Sequence, residues 1–119
     1  MAGIQMNIGD HVSPHPGFVA VPGIHRGMIN WARQRAKRIA NEIRSADIYF
    51  SGLPGGRTLK SLLNDNTIWI NYDPAMGDFG ATSVAHPHET AIGTRAFRIG
   101  RWTVLATLIH ELAHVNGAP

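Results

Sequence analysis

Two histidines and a glutamate lie within five consecutive residues near the end of this 119-residue chain, as His110-Glu111-Leu112-Ala113-His114. On an α-helix, residues four positions apart lie one above the other on the same face. Two imidazoles at this spacing can bind one metal ion, and the glutamate between them can act on a water at that metal. The pattern therefore indicates a metal-dependent hydrolase, in the first place a peptidase.

The residues around the motif predict a helix that would present it to solvent. Four apolar residues fall on one side of a helical wheel drawn at about 100° per residue and form a core-facing stripe, Leu105, Leu108, Ile109 and Leu112. His110 and His114 fall on the opposite side, together with Thr103 and Thr107. The alternative to a metal cleft is an ordinary pair of exposed or hydrogen-bonded helix histidines.

Zinc chemistry assigns a role to each residue of the motif. A catalytic zinc site keeps three protein ligands and leaves the fourth position for water. The metal lowers the pKa of that water to about 7 and polarises the scissile carbonyl. We expect His110 and His114 to be Zn²⁺ ligands. We expect Glu111 to be the general base that takes the proton from the water and passes it to the leaving amine.

The segment from His110 to Gly117 resembles the active-site helix of the zincin metallopeptidases. The string His110-Glu111-x-x-His114-x-x-Gly117 is similar to the opening of the metzincin pattern, where the glycine lets the chain turn towards a third ligand. The order of elements before the motif also resembles the layout of small zincin domains of bacterial effector toxins. A strand candidate at residues 68–72 is followed by a loop and then by the motif helix. The resemblance implies a zinc ion, hydrolysis of a peptide or protein substrate, and an edge strand that holds the substrate extended above the helix.

The motif leaves the third metal ligand open. The metzincin spacing puts that ligand at the residue after Pro119, and the thermolysin-like glutamate would need a following helix. An upstream side chain could complete the shell, or a second chain or the terminal carboxylate could contribute. Otherwise the chain is a truncated, catalytically incomplete zincin scaffold that acts as a binding module. The upstream candidates are Asp73, Asp78, His86, His88 and Glu89.

The strongest strand pattern lies at residues 67–72, where Ile68 and Ile70 alternate with Trp69 and Asn71. We expect this strand to lie at a sheet edge, where a peptide could add as a further strand through backbone hydrogen bonds. Its substrate-binding residues would be Trp69, Asn71 and Tyr72.

The remaining patterns predict an α+β fold, a single zincin-like domain over residues 1–119 with a short sheet packed on helices and a C-terminal active-site helix. Residues 1–27 are rich in Gly, Pro and His and predict an irregular arm that could include short extended pieces. The other expected elements are a helix at 28–46, a strand at 47–51, a helical turn at 58–63, a long loop at 73–89, a strand or helix start at 91–99, and a helix at 101–116. Gly117 would end the last helix.

Composition narrows the kinds of site and partner. The chain has no cysteine, so any metal site must use nitrogen and oxygen donors. It has no 18-residue apolar run, so we expect no membrane span. Residues 1–12 do not form an ordinary secretory signal, which leaves a cytoplasmic location or export by a specialised secretion system. Nothing in the sequence indicates an oligomeric state.

The net charge of +3 is unevenly distributed, with +5 in residues 1–60 and −2 in residues 61–119. Five basic residues occupy much of one predicted helix, Arg33, Arg35, Lys37, Arg38 and Arg44. They form either a solvated helix face or a patch for an acidic protein, phosphates or lipid head groups. Nucleic acid ranks last among these partners because no recognisable nucleic-acid-binding motif accompanies the basic residues.

Overall fold

The computed structural model describes residues 3–119, which form five helices and a four-stranded mixed sheet. The strands are β1 (Gln5–Met6), β2 (Trp69–Asp73), β3 (Gly80–Thr82) and β4 (Glu89–Gly93). The helices are α1 (Gly23–Glu42), α2 (Arg44–Ser51), α3 (Leu59–Leu63), α4 (Thr94–Ile99) and α5 (Arg101–Val115). The predicted α+β class is confirmed.

The order of strands across the sheet is β1-β2-β4-β3. β2 pairs in parallel with both β1 and β4, whereas β3 pairs antiparallel with β4 and places Ala81 opposite Ala91. β3 thus lies at one edge of the sheet, although it precedes β4 in the chain. This edge lies over α5, which also contacts β4.

The core lies between α1, α5 and the sheet. α5 contributes Leu105, Leu108 and Leu112 to it, as the apolar stripe predicted, and Ile109 is partly buried. α1 turns three buried alanines inward together with Ile29. Small side chains on a helix face let two backbones approach closely, which brings α1 against α5 and leaves the opposite face of α5 for the motif.

The predicted helix at 28–46 has different bounds in the structure, and the predicted strand at 47–51 is wrong. The first helix begins at Gly23 and ends at Glu42, and residues 47–51 belong to α2 rather than to a strand. Ile48 and Tyr49 are exposed and Phe50 is the one buried residue of this helix, so the helix places one side chain in the core. A short apolar run fits helix and strand equally well, and here packing decided between them.

The N-terminal arm contains short extended pieces, but its residues 23–27 belong to α1, and the loop before β4 contains a strand that the sequence did not predict. β1 pairs with β2, and Val19 forms a bridge with Tyr72 on β2. The loop at 73–89 contains β3. Residues 91–99 divide between strand and helix, with β4 ending at Gly93 and α4 following it. The predicted turn at 58–63 and the last helix are confirmed as α3 and α5.

Within residues 3–119, no helix is both long enough and apolar enough to cross a bilayer.

Candidate metal centre

α5 brings the two histidines of the motif together on its outer face. The Nε2 atoms of His110 and His114 lie 3.1 Å apart, and their rings are inclined at 76°. Two nitrogens bound at about 2.05 Å to a tetrahedral zinc would lie about 3.3 Å apart. The imidazole pair therefore has a spacing that fits one zinc ion, and the same spacing fits an Nε2–H···Nε2 hydrogen bond between the two rings.

The turn after α5 fixes the tautomer of His114. Its Nδ1 atom lies 3.0 Å from the carbonyl oxygen of Ala118, which can only accept a hydrogen bond, so the proton is on Nδ1. The Nε2 lone pair of the neutral ring then faces His110. A metal-binding histidine commonly donates its other ring N–H to a carbonyl in this way.

Gly117 produces that turn. Its φ is +89°, the left-handed region that favours glycine. The N–H of Ala118 donates to the carbonyl of Ala113 at 3.0 Å, and the N–H of Gly117 donates to that of His114 at 3.0 Å. This pair of bonds is a Schellman motif, which confirms Gly117 as the helix stop. The same turn places the Ala118 carbonyl within hydrogen-bonding distance of the His114 ring.

Glu111 points towards β3 and is 4% exposed. Its Oε1 atom accepts a hydrogen bond of 2.8 Å from the Thr82 hydroxyl. Gly80 allows this approach, because a Cβ atom there would lie 2.6 Å from Cγ2 of Thr107 and 3.1 Å from Oε2 of Glu111. The carboxylate is therefore held between α5 and the edge strand.

The candidate third ligands are dispersed. Asp78 lines the same cavity as His110, whereas His86 is exposed on the loop before β4. Glu89 is buried and lies 2.9 Å from His11, and His88 interacts with the Thr67 hydroxyl at 2.8 Å. Asp73 accepts a hydrogen bond from the N–H of Ala75.

Across residues 3–119, no three His, Asp or Glu side chains form a group arranged to hold a metal ion. The described part of the chain thus brings together the two histidines and leaves the third ligand unassigned.

The expectation that residues 67–72 form a sheet edge is wrong. β2 has a hydrogen-bonded strand on each side, so a peptide cannot add to it. Asn71 is fully buried and donates to Glu89, Tyr72 is 9% exposed, and Trp69 is stacked under His11 with ring centres 4.0 Å apart. Asn71 and Tyr72 thus lie in the interior of the fold, whereas Trp69 is half-buried.

β3 is the strand with an open side next to the motif. The Phe79 carbonyl accepts a hydrogen bond from β4, and the Ser83 N–H donates one to β4. Gly80 and Thr82 alternate with these residues, so their backbone groups point away from β4. A cavity of about 560 Å³ along β3 is lined by Thr82, Glu111 and His114. Sequence reasoning missed β3 because Gly-Ala-Thr has no alternation of apolar and polar residues.

Models of known protein families, curated proteins and solved structures yielded no match to this chain.

Proposed function

We propose that this chain is a zinc-dependent metallopeptidase of zincin-like fold. The observation that carries the proposal is the convergence of the His110 and His114 Nε2 atoms at 3.1 Å on the solvent side of α5. The Ala118 carbonyl supports it by fixing the tautomer of His114. The neighbouring Glu111 carboxylate and the open strand edge supply two further parts that peptide hydrolysis needs.

His110 and His114 would hold zinc through their Nε2 atoms. Bound zinc supplies a Lewis acid for the scissile carbonyl and makes a water nucleophilic at neutral pH. Glu111 takes the proton of the attacking water and delivers it to the leaving amine. The Thr82 hydroxyl orients the Glu111 carboxylate for this transfer.

The substrate would lie along β3 rather than along β2. The outward backbone groups of Gly80 and Thr82 can pair with an extended peptide, as in other cases of strand addition. Such a peptide passes over Glu111 and His110, because both residues line the cavities beside β3. This geometry brings a peptide carbonyl near the metal-binding nitrogens.

The test compares the zinc content and the peptidase activity of the whole chain with those of its Glu111→Gln variant. Zinc is measured by elemental analysis, and cleavage is measured on a pool of quenched fluorescent peptides. We expect the variant to retain zinc and lose about 100-fold or more in kcat, since the general base is removed but both ligands remain. His114→Ala should lose the zinc.

Glu42→Gln makes the same chemical change on the exposed face of α1 and serves as the control. It should leave zinc content and kcat unchanged. Full activity in Glu111→Gln would remove this residue from the mechanism. A wild-type chain that binds no zinc at micromolar concentration would refute the metallopeptidase proposal.

The second candidate function is a catalytically incomplete zincin scaffold that acts as a binding module. It is favoured by the lack of a three-ligand group among residues 3–119. Asp78→Ala separates the two candidates, because Asp78 is an upstream candidate ligand that lines the cavity with His110. A loss of zinc in this variant supports a complete shell, and weak zinc binding by the wild-type chain supports the scaffold.

A further inference from the structure

A polar face of α1 lines two neighbouring pockets on the side of the molecule where β1 forms the sheet edge. The first pocket has a volume of about 260 Å³ and lies between α1 and residues 3–5. The second has a volume of about 190 Å³ and lies between α1 and α3. Lys37 lines both pockets, so together they form one continuous site, which we call the basic groove.

The α1 residues of the basic groove follow the helical period. Five of them line it at spacings of three and four residues and therefore share one face of the helix: Asn30, Arg33, Gln34, Lys37 and Asn41. This stripe covers about 16 Å along the helix axis, at about 1.5 Å per residue. Each side chain in it is a cation or an amide, so the stripe offers hydrogen-bond donors along its whole length.

Arg33 is a half-buried cation whose hydrogen-bond partners are neutral. Its Nη1 atom donates to the Ile4 carbonyl at 2.9 Å, and its Nη2 atom donates to the side-chain oxygen of Asn30. Burial lowers the pKa of Arg33 from its usual value, because water is partly removed from around the charge. A guanidinium has five N–H donors, so three remain for a ligand.

Lys37 and Lys60 supply the other two cations of the basic groove. The Lys37 ammonium lies close to the backbone of Gly3, where an added Cβ would be 3.2 Å from Nζ. Lys60 stands on α3, across the second pocket from α1. Both lysine side chains are exposed, so their ammonium groups can reach a ligand in the groove.

Within residues 3–119, no carboxylate lines either pocket. The carboxylates that pair with arginine in this part of the chain are Glu42 and Asp65, and neither contacts a cation of the groove. Asp47 accepts a hydrogen bond of 3.2 Å from the backbone N–H of Lys60 but lines neither pocket. The lining thus has three positive charges and no negative one, which favours an anionic ligand.

The donors of the basic groove suit a chain of phosphate groups. Arginine and lysine both bind phosphate oxygens through charge-assisted hydrogen bonds, and each phosphate offers several acceptor oxygens. One phosphate is too small to reach donors along the whole stripe, whereas a linear polyphosphate can reach both pockets. In the described part of the chain, no aromatic side chain lines the groove as a platform for base stacking, as single-stranded nucleic acid would need.

We propose that the basic groove binds a linear polyphosphate group, either free or as the phosphate chain of a nucleotide. One phosphate lies at Arg33 in the first pocket, another lies at Lys60 in the second, and Lys37 contacts the chain between them. The site does not depend on the proposed peptidase function, because β1 and β3 lie at opposite edges of the sheet.

Isothermal titration calorimetry on the chelator-treated full chain tests the ligand class. The ligands are tripolyphosphate, orthophosphate, citrate, adenosine triphosphate and a short oligothymidylate, all at near-physiological ionic strength. Tripolyphosphate should bind at least about 10-fold tighter than orthophosphate, because it reaches the donors of both pockets. It should also bind tighter than citrate, which has several negative charges but no phosphate.

Lys37→Gln should weaken tripolyphosphate binding about 10-fold, because it removes the charge that both pockets share. Arg38→Gln is the matched control, since it removes one positive charge at the next exposed position of α1, which lines neither pocket. It should change the Kd less than about two-fold. Lys60→Gln should reduce the preference for tripolyphosphate over orthophosphate about three-fold.

Equal losses of affinity in Lys37→Gln and Arg38→Gln would mean general charge attraction and would overturn the proposal. Equal Kd values for tripolyphosphate and orthophosphate, or for tripolyphosphate and citrate, would also overturn it. Tighter binding of the oligothymidylate than of tripolyphosphate would assign the groove to nucleic acid instead.

The comparison of tripolyphosphate with adenosine triphosphate identifies the source of the phosphate chain. Equal Kd values assign recognition to the phosphates alone, and tighter binding of adenosine triphosphate identifies a nucleotide as the ligand. Both results support the proposal.

Discussion

At the residue scale, Asn116 links the end of α5 to the turn that follows α2. Its amide donates to the carbonyl of Phe50 at 2.8 Å and to that of Arg57 at 2.9 Å, and its side-chain oxygen accepts the Arg57 N–H at 3.1 Å. The side chain is 1% exposed, so these bonds are shielded from water. Because Asn116 lies between His114 and Gly117, it also holds the turn that orients His114.

Asn116→Ala should therefore lower the free energy of unfolding by about 2–3 kcal/mol, since it leaves the carbonyl and the N–H of Arg57 without a partner and removes one of the bonds to the Phe50 carbonyl. Urea denaturation followed by far-UV circular dichroism measures this change. Asn41→Ala, at an exposed position of α1, should change it by less than about 0.5 kcal/mol. Similar losses in the two variants would mean that the buried amide is not a structural link.

At the element scale, the candidate site depends on how closely β3 approaches α5. Gly80 sets this distance, because an added Cβ would lie 2.6 Å from Cγ2 of Thr107 and 2.9 Å from the carbonyl oxygen of Ala91. The methyl group and the paired strand backbone leave no room for a side chain. β3 would have to move away from α5, and the Thr82 hydroxyl would move away from Glu111.

Gly80→Ala should lower the free energy of unfolding by about 1–3 kcal/mol, as is usual for overpacking. Gly27→Ala is the matched control, because Gly27 lies inside α1 with no atom within 4 Å of an added Cβ. That change should raise stability by about 0.5–1 kcal/mol through helix propensity. Thermal melting of both variants tests the pair, and a stabilised Gly80→Ala would contradict the close approach of β3 to α5.

At the scale of the whole molecule, His25 joins α1 to the sheet and to α4. Its ring stacks on Phe97 with centres 4.1 Å apart and lies 5.5 Å from that of Tyr72. Burial lowers the pKa of His25 below the usual value. The folded chain therefore favours the neutral imidazole more than the unfolded chain does.

This preference stabilises the fold at pH values above about 6.5, where the imidazole is neutral in both states. The contribution is lost as the pH falls through the lower folded pKa, because the unfolded chain binds the proton first. In chelator-treated protein, His25→Phe should reduce the loss of unfolding free energy between about pH 7 and pH 5. His86→Phe, at an exposed position, should leave the slope unchanged. An unchanged slope in His25→Phe would refute the assignment to His25.

Local pattern was enough to predict the parts of the molecule that depend on near neighbours in the chain. The helical period located α5, its buried leucines and the outward histidines, and Gly117 marked its end. The same reasoning failed at residues 47–51, where the apolar run from Ile48 to Phe50 packs as part of a helix.

The sequence by itself determined that two imidazoles and a carboxylate share one helix, because helical periodicity is a property of consecutive residues. Only the tertiary structure decided which strand lies at the open edge beside them. β2 has the stronger strand pattern, yet β1 pairs with one of its sides and β4 with the other. The strand at the edge beside α5 is β3. Strand order depends on hydrogen bonds between residues far apart in the chain, and local residue patterns do not specify those partners.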